Sequence, residues 1–437
     1  MRLHIGLDDT DSPEGGCTTY LSAVLADGLL QMGAEFFDYP NLLRLNPNTP
    51  WKTRGNAAVC LRFSINESKQ GDVKELVLSL IDQYGEFQCD NTNPGAVFLE
   101  GDVPGEVKSF SRRVVQRIVN LSDAEHLIDA HGLSAVGWKN RRGIIGALAA
   151  VGGTLESDHT FELITYRKPE NWGTSRGVDE DSVIRMNDST LGETFCNVDE
   201  SGKVLITPHG PDPVLYGVRG ESPEGVYTAY SLIETLEPVE RWMIYRSNQG
   251  TDAHFKSRIH VDELEPYNPA VLEGSVSSMP ETITGGHVIF GVQDPSGSVD
   301  CAAYEPTGSF RQVVRELLPG DRVRVYGGVR PMKDCLTLNI EKLEVLALID
   351  DVEYVNPRCP ECGGGMESMG SGKGYRCRRC GFRGDDLSKV PVVKARRLVE
   401  GTYLPDMSAH RHLTKPFQRY GREKKGFNGL KFHPWIG

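Results

Sequence analysis

A multidomain α+β chain is predicted: two blocks of mixed helix and strand, then a small β-barrel and a metal-binding ribbon. Three observations predict it. Strand-like and helical spacings alternate from Arg2 to about residue 262. Five strand-like runs with one short helix follow, between about residues 267 and 350. Beyond them, Cys359-Pro360-Glu361-Cys362 and Cys377-Arg378-Arg379-Cys380 lie 14 residues apart.

The first block, 1–135, opens with a strand over Arg2–Leu7 and a helix from Tyr20 to Met32. Between them runs Asp8-Asp9-Thr10-Asp11-Ser12-Pro13-Glu14-Gly15-Gly16-Cys17-Thr18-Thr19. Three carboxylates within four positions repel one another unless a cation lies between them. Hard oxygen ligands of this kind suit magnesium, which usually arrives with nucleotide phosphates. A solvated, helix-capping turn would carry the same aspartates. The glycine pair and the helix start after it favour phosphate instead, because the backbone approaches closely and directs N–H groups there. Gly16 is therefore a candidate nucleotide contact, and Thr18 or Thr19 would lie near a phosphoryl group. A strand at Ala57–Ile65 and helices at Val73–Tyr84 and Val107–Leu121 complete the block. The loop from Arg44 to Asn56 holds two prolines and the cations Arg44, Lys52 and Arg54, and is long enough to suggest function.

The second block, 136–262, begins with Gly143-Ile144-Ile145-Gly146-Ala147-Leu148-Ala149-Ala150-Val151-Gly152. Small residues there allow close helix packing, and Gly143 and Gly146 would equally offer N–H groups to phosphate. Strands are expected at Phe161–Tyr166, Val204–Thr207 and Trp242–Arg246. A further strand before Gly220 leads to a helix capped by Ser222.

The third block, 267–350, has its helix, Phe310–Leu318, between the third and fourth of five strands. That is the order of an OB-fold, a frequent binder of single-stranded nucleic acid. A purely structural barrel would have the same order. The ribbon, 355–385, carries two thiol pairs on tight turns, so Cys359, Cys362, Cys377 and Cys380 converge on a structural zinc. Its arginines and the tail, 386–437, interleave cations with aromatic rings, a pattern suited to phosphates and unpaired bases.

Composition fits this division. The 437 residues carry a formal charge of −12. From Arg358 onward, however, 17 Lys or Arg stand against 7 Asp or Glu, so the preceding residues carry −22. The basic part is the expected nucleic-acid contact. No stretch approaches the roughly 20 apolar residues of a membrane span. The start of the chain has no signal peptide, and six cysteines are scattered singly, so a soluble protein of the reducing cytoplasm is expected. Two functions suit such a chain, a magnesium- and ATP-dependent enzyme acting on RNA or a non-enzymatic single-stranded nucleic-acid binder built on the barrel and ribbon. The acidic cluster separates them, since a pure binder has no need of it.

Gly6-Leu7-Asp8-Asp9-Thr10-Asp11-Ser12 with Gly16-Cys17-Thr18-Thr19-Tyr20, Arg44-Leu45-Asn46-Pro47 with Lys52-Thr53-Arg54-Gly55-Asn56, Thr92-Asn93-Pro94-Gly95-Ala96, the segment from Gly143 to Gly152, and Leu215-Tyr216-Gly217-Val218-Arg219-Gly220-Glu221 together resemble the archaeal 2-agmatinylcytidine synthetases of the minor isoleucine tRNA. The resemblance runs to about His412. It implies a kinase-like α/β domain, a ferredoxin-like agmatine-binding domain, an OB-fold and a zinc ribbon. It implies that agmatine is joined to the wobble cytidine for AUA decoding, with ATP consumed and AMP and phosphate released. The cytosine 2-oxo group would be phosphorylated first, because it is otherwise a poor leaving group. Thr18 matches the family's autophosphorylated threonine, and Asp8, Asp9 and Asp11 match its metal-binding motif. Agmatine, a dication, needs carboxylates, for which Glu221 and Asp212 are candidates. Arg219 suits a phosphate or a neighbouring acid. The expected partners are the tRNA and agmatine, with no membrane and no obligatory protein partner.

Overall fold

The computed structural model describes residues 1–255, 258–333 and 335–437. Its largest element is a 10-stranded sheet built from β1 (Arg2–Asp8), β2 (Glu35–Phe36), β3 (Asn41–Arg44), β4 (Ala57–Ser64), β5 (Gly95–Glu100), β6 (Ser134–Gly137), β7 (Thr160–Arg167), β8 (Thr194–Phe195), β9 (Val214–Gly220) and β10 (Val239–Ser247). The main order is β6-β5-β1-β4-β3-β10-β7-β9-β8. The first five of these pair antiparallel with one another.

Period-two alternation gives this half two buried faces. Leu3, Ile5 and Leu7 of β1, with Val59, Leu61 and Phe63 of β4, meet α1 (Thr18–Gln31) and α2 (Gln70–Tyr84). Ala58 and Cys60 of β4, and Val97 and Leu99 of β5, meet α3 (Gly105–Gln116), α4 (Leu121–Ala130) and α5 (Gly143–Gly152). The expected helix Val107–Leu121 ends at Gln116, and a separate helix begins at Leu121.

The small residues of α5 allow a very close approach to the sheet. A Cβ on Gly6 would lie 2.0 Å from the Ala147 carbonyl oxygen, and one on Gly95 would lie 2.3 Å from Gly143. Packing is thus what these glycines do.

The strands β7 to β10 with α6 (Glu180–Ser189) and α7 (Pro223–Leu232) run β-α-β-β-α-β in sequence and fourth-first-third-second in space. This is the ferredoxin-like arrangement. Asp179 caps α6, accepting from the Ser182 N–H, and Ser222 caps α7, accepting from the Gly225 N–H. The expected strand at Val204–Thr207 is reduced to an isolated bridge between Val198 and Val204. The two half-sheets meet where β3 runs parallel to β10, with Asn41 beside Arg246 and Leu42 beside Ser247. Buried Arg246 ties that seam to the Asp38 carboxylate.

The barrel consists of β11 (Pro269–Val276), β12 (Glu281–Thr282), β13 (Val288–Asp294), β14 (Gly297–Ala303), β15 (Arg322–Met332) and β16 (Cys335–Ala347), with α8 (Phe310–Arg315) between β14 and β15. It closes because β11 pairs both β15 and β13. The OB order and the position of the helix are as expected. A polar wedge docks the barrel on the first half-sheet: Asn46 donates to the Tyr267 carbonyl, and Arg330 donates to the Asn48 carbonyl.

The C-terminal segment differs from the expected tail. Gly401–Tyr403 pairs with β16, and the chain then recrosses the large sheet. Buried Trp435 packs on Phe36, and the Trp242 N–H donates to the Gly437 carbonyl. Fully buried Arg419 pairs with Asp158 and Glu221. Much of the expected RNA-facing pattern of cations and rings is therefore internal packing. No helix among the described residues is long and apolar enough to cross a membrane.

Candidate active site and metal centre

A cleft of about 570 Å³ lies where the two half-sheets meet. Alternation along β1 points Leu7 at α1 and Asp8 at α5. There the Asp8 carboxylate fills the space a side chain on residue 146 would take, since a Cβ on Gly146 would lie 1.9 Å from its Oδ2. The chain then turns through Asp9, whose φ of 58° is in the left-handed region.

The three aspartates have different surroundings. Asp11 accepts from Thr53 Oγ1 at 2.8 Å and from Arg54 Nε and Nη2 at 3.0 and 2.8 Å. Asp9 accepts from the Asn93 N–H and from Arg142 Nη2, both at 3.2 Å. Asp8 has no ion pair among the described residues, and burial followed by the Asp9 charge pushes its pKa well above the ordinary range. A carboxylate so placed fits a hard divalent cation, and the oxygen-only donor set fits magnesium.

α1 begins at the cleft wall. Cys17 occupies its N-cap without making a side-chain cap, so the Thr18 hydroxyl is not a capping group. Instead Thr18 Oγ1 lies 2.9 Å from Thr10 Oγ1, and both residues are buried. Tyr245 of the ferredoxin-like unit donates to the Thr19 carbonyl at 2.7 Å, which fixes this helix end against the second half-sheet.

Gly16, at φ 69°, sits beside this helix start, and its carbonyl accepts from Arg54. The first turn of α5 offers less than expected: the N–H groups of Gly143, Ile144 and Ile145 already donate to the carbonyls of Asn93, Arg141 and Arg142.

Of the agmatine candidates, Asp212 lines the cleft but pairs with Arg54 at 3.1 Å and Arg176 at 3.3 Å. Glu221 is not brought there, and its carboxylate meets Arg419 and Lys424. Arg219 lines the cleft, holding Glu162 at 3.3 Å and His412 Nδ1 at 2.9 Å. Arg44 approaches the same Glu162 at 3.6 Å. Arg44, Arg54, Arg142, Glu162 and His412 were not assigned from the sequence. The polar loop pointed toward the first two. A lone acid within the apolar Phe161–Ile164 run of β7 was the available signal for Glu162.

In the ribbon, the four cysteine Sγ atoms lie within 4.8 Å of one another, and Cys359–Cys380 and Cys362–Cys377 are each 3.5 Å apart. A tetrahedron with zinc–sulfur bonds of about 2.3 Å has edges of about 3.8 Å, so the four thiols fit zinc.

Family models match nearly the whole chain: the TiaS TCKD domain over residues 4–140, the TiaS FLD domain over 141–254, an OB-fold nucleic acid binding domain over 270–346 and the TiaS C-terminal zinc ribbon domain over 356–398. The isoleucine-tRNA 2-agmatinylcytidine synthetase TiaS of Methanosarcina mazei is 44% identical over 97% of this chain and 99% of its own. That of Pyrococcus horikoshii is 43% identical over 95% and 97%. A crystal structure of TiaS with its isoleucine tRNA and ATP superposes with a TM-score of 0.87 at 41% identity, covering 96% of this chain and 97% of that one. A crystal structure of TiaS with the tRNA, AMPCPP and agmatine does so with a TM-score of 0.84 at 38% identity and the same coverage.

Proposed function

The chain belongs to the TiaS family of isoleucine-tRNA 2-agmatinylcytidine synthetases, and on that premise we propose how its cleft performs the family's reaction. The enzyme joins agmatine to C2 of the wobble cytidine of the minor isoleucine tRNA in an ATP-dependent ligation that releases AMP and phosphate, and it acts in the cytoplasm. One observation carries the reading. The acidic end of β1, the Thr18 end of α1 and the cations of the 44–56 loop, from three separate stretches of sequence, face one cleft. A binding protein without catalysis would not need that convergence.

In this reading Asp8, with Asp9 and Asp11, holds magnesium, which when bound neutralises charge developing on the ATP phosphates. Arg54 and Thr53 fix Asp11, and Arg142 fixes Asp9, so the carboxylates are set before the nucleotide arrives. Thr18 accepts a phosphoryl group; its hydroxyl is oriented by Thr10 and faces the helix end that favours anions. Asp212 is already paired with Arg54 and Arg176, so in this reading it orders Arg54 beside Asp11 rather than meeting the dicationic amine. The ribbon cations and the barrel hold the anticodon arm, whose cytidine is drawn out of its stack. The deciding experiment supplies purified protein with ATP, magnesium and each substrate separately. AMP should form only when both the tRNA transcript and agmatine are present, and AMP formation without either one would overturn the reading.

A further inference from the structure

The cleft is electrically two-ended. Asp8, Asp9 and Asp11 make one end negative. At the other, Arg44 and Arg219 converge on the Glu162 carboxylate, which also accepts from Gln249. The end is built rather than incidental. The Arg44 side chain is 13% exposed, and its buried Nε has no hydrogen-bond partner among the described residues. A Cβ on Gly55 would lie 3.0 Å from His412 Nε2 and 3.1 Å from Arg44 Nη1, so both groups close around the bare Gly55 backbone.

His412 fixes the state of this end. A guanidinium N–H can only donate, so His412 Nδ1 accepts from Arg219 and the neutral ring carries its proton on Nε2. Burial, and then the charges of Arg44, Arg219 and Lys52, hold the ring neutral. The imidazole therefore aims Arg219 without adding charge. It comes from the C-terminal segment, 193 positions beyond its partner.

We propose that Arg44 and Arg219 form the pocket for the phosphoryl group carried on the activated cytosine, with His412 as the positioning residue for Arg219. The inference rests on the function proposed above. A dication such as agmatine is repelled from this end, whereas a phosphate dianion gains two guanidinium partners. In the displacement, the agmatine ammonium first gives a proton to solvent, and the free amine forms the C2–N bond with its lone pair. The C2–O bond breaks with its electron pair on the phosphate oxygen. The amine's extra proton goes to that oxygen, and hydrogen phosphate leaves. Guanidinium groups stabilise the charge as it grows on the departing group.

The test uses the full-length enzyme and inorganic phosphate as the probe. Phosphate should inhibit agmatine transfer by the wild type. Arg44→Gln, Arg219→Gln and His412→Ala should each raise the inhibition constant at least about tenfold, the scale of one charge-assisted hydrogen bond. His412→Asn places an amide oxygen near the Nδ1 position and should restore inhibition to within about threefold, whereas His412→Gln should not. Two parallel titrations identify the source of the phosphate. An ATP KM that rises as much as the phosphate constant would assign the pocket to the nucleotide and overturn the proposal. A flattened salt dependence of tRNA affinity would assign it to the RNA backbone, with the same consequence. Phosphate inhibition equal in all variants would also overturn it. Failure of the wild type to transfer agmatine, with direct phosphate binding intact and lost in Arg219→Gln, would defeat the proposed function and leave the anion pocket standing.

Discussion

At the scale of single residues, Asp8 is the group whose surroundings are least balanced. Its raised pKa means that the folded state holds a proton the unfolded chain has released. Without metal, stability should therefore fall as pH rises from the ordinary aspartate value of 3.8 through the raised one. Magnesium should reverse this loss above that range. Asp8→Asn should raise the metal-free Tm and abolish the magnesium-dependent shift, and thermal melts at several pH values with and without magnesium check both. Thr18 gives a second prediction. Intact-mass analysis after incubation with ATP and magnesium should show one added phosphate in the wild type and none in Thr18→Ala, with agmatine transfer lost and Tm lowered only by the loss of the buried Thr10 hydrogen bond, about 1–3 kcal/mol. Thr18→Ser should keep both phosphate and transfer, and full transfer by the alanine variant would remove Thr18 from the mechanism. The aspartates and Thr18 were legible because they lie within eleven positions of one another. Glu221 misled because its partners, Arg419 and Lys424, lie about 200 positions later, and no local pattern reveals an acid already neutralised from afar.

At the scale of elements, α5 shows how small residues place a carboxylate. Gly146→Ala would drive a methyl into Asp8, and overpacking of this kind typically costs about 1–3 kcal/mol. Denaturant unfolding should show that loss, and metal-dependent ATP turnover should fall further because Asp8 is displaced. The sequence left two roles open for this helix; the close glycine contacts are packing, and the N–H groups of Gly143, Ile144 and Ile145 already have carbonyl partners. The ribbon was fully legible, because two matched thiol pairs admit few other readings. Its apolar cluster is Cys359, Met366, Tyr375 and Cys377 with a few partly buried neighbours, too small to fold unaided. Cys362→Ser should therefore release zinc and open the ribbon, with the large sheet intact. Elemental analysis together with limited proteolysis reads both effects. The barrel strands were legible from alternation. β3 was not, since four residues between two loops carry no period, yet it supplies the seam between the half-sheets.

At the scale of the whole molecule, the basic surplus after Arg358 serves two purposes that composition cannot separate. Arg396, Arg411 and Arg419 pair with Asp321, Glu341 and with Asp158 and Glu221, and so belong to the fold. Arg378, Arg379 and Arg383 of the ribbon are exposed. Replacing these three with Gln should lower the salt slope of tRNA binding by about 0.7–0.9 for each phosphate that they neutralise. Trp435→Ala should leave that slope unchanged and cost about 3–5 kcal/mol, because the indole is 4% exposed. Equilibrium unfolding and binding measured across salt concentrations distinguish the two sets. An expectation that the entire tail meets RNA would instead predict weaker tRNA binding from Trp435→Ala with stability intact, since stacking on a base carries no salt slope.

The return of the C-terminal segment to the large sheet also sets a timetable. On the ribosome, the half-sheets carrying Asp8, Thr18 and Arg219 emerge well before His412 and Arg419. The 193 positions between Arg219 and His412 correspond to about 10–40 s of synthesis at about 5–20 residues per second. Through that interval the nascent chain has the acidic cluster and Thr18 but lacks the partners that the C-terminal segment brings to Arg219, Asp158 and Glu221. If Arg219 and His412 act as proposed, displacement of phosphate by agmatine is withheld until the last residues arrive, and a prematurely terminated chain would be an incomplete enzyme rather than an unregulated one.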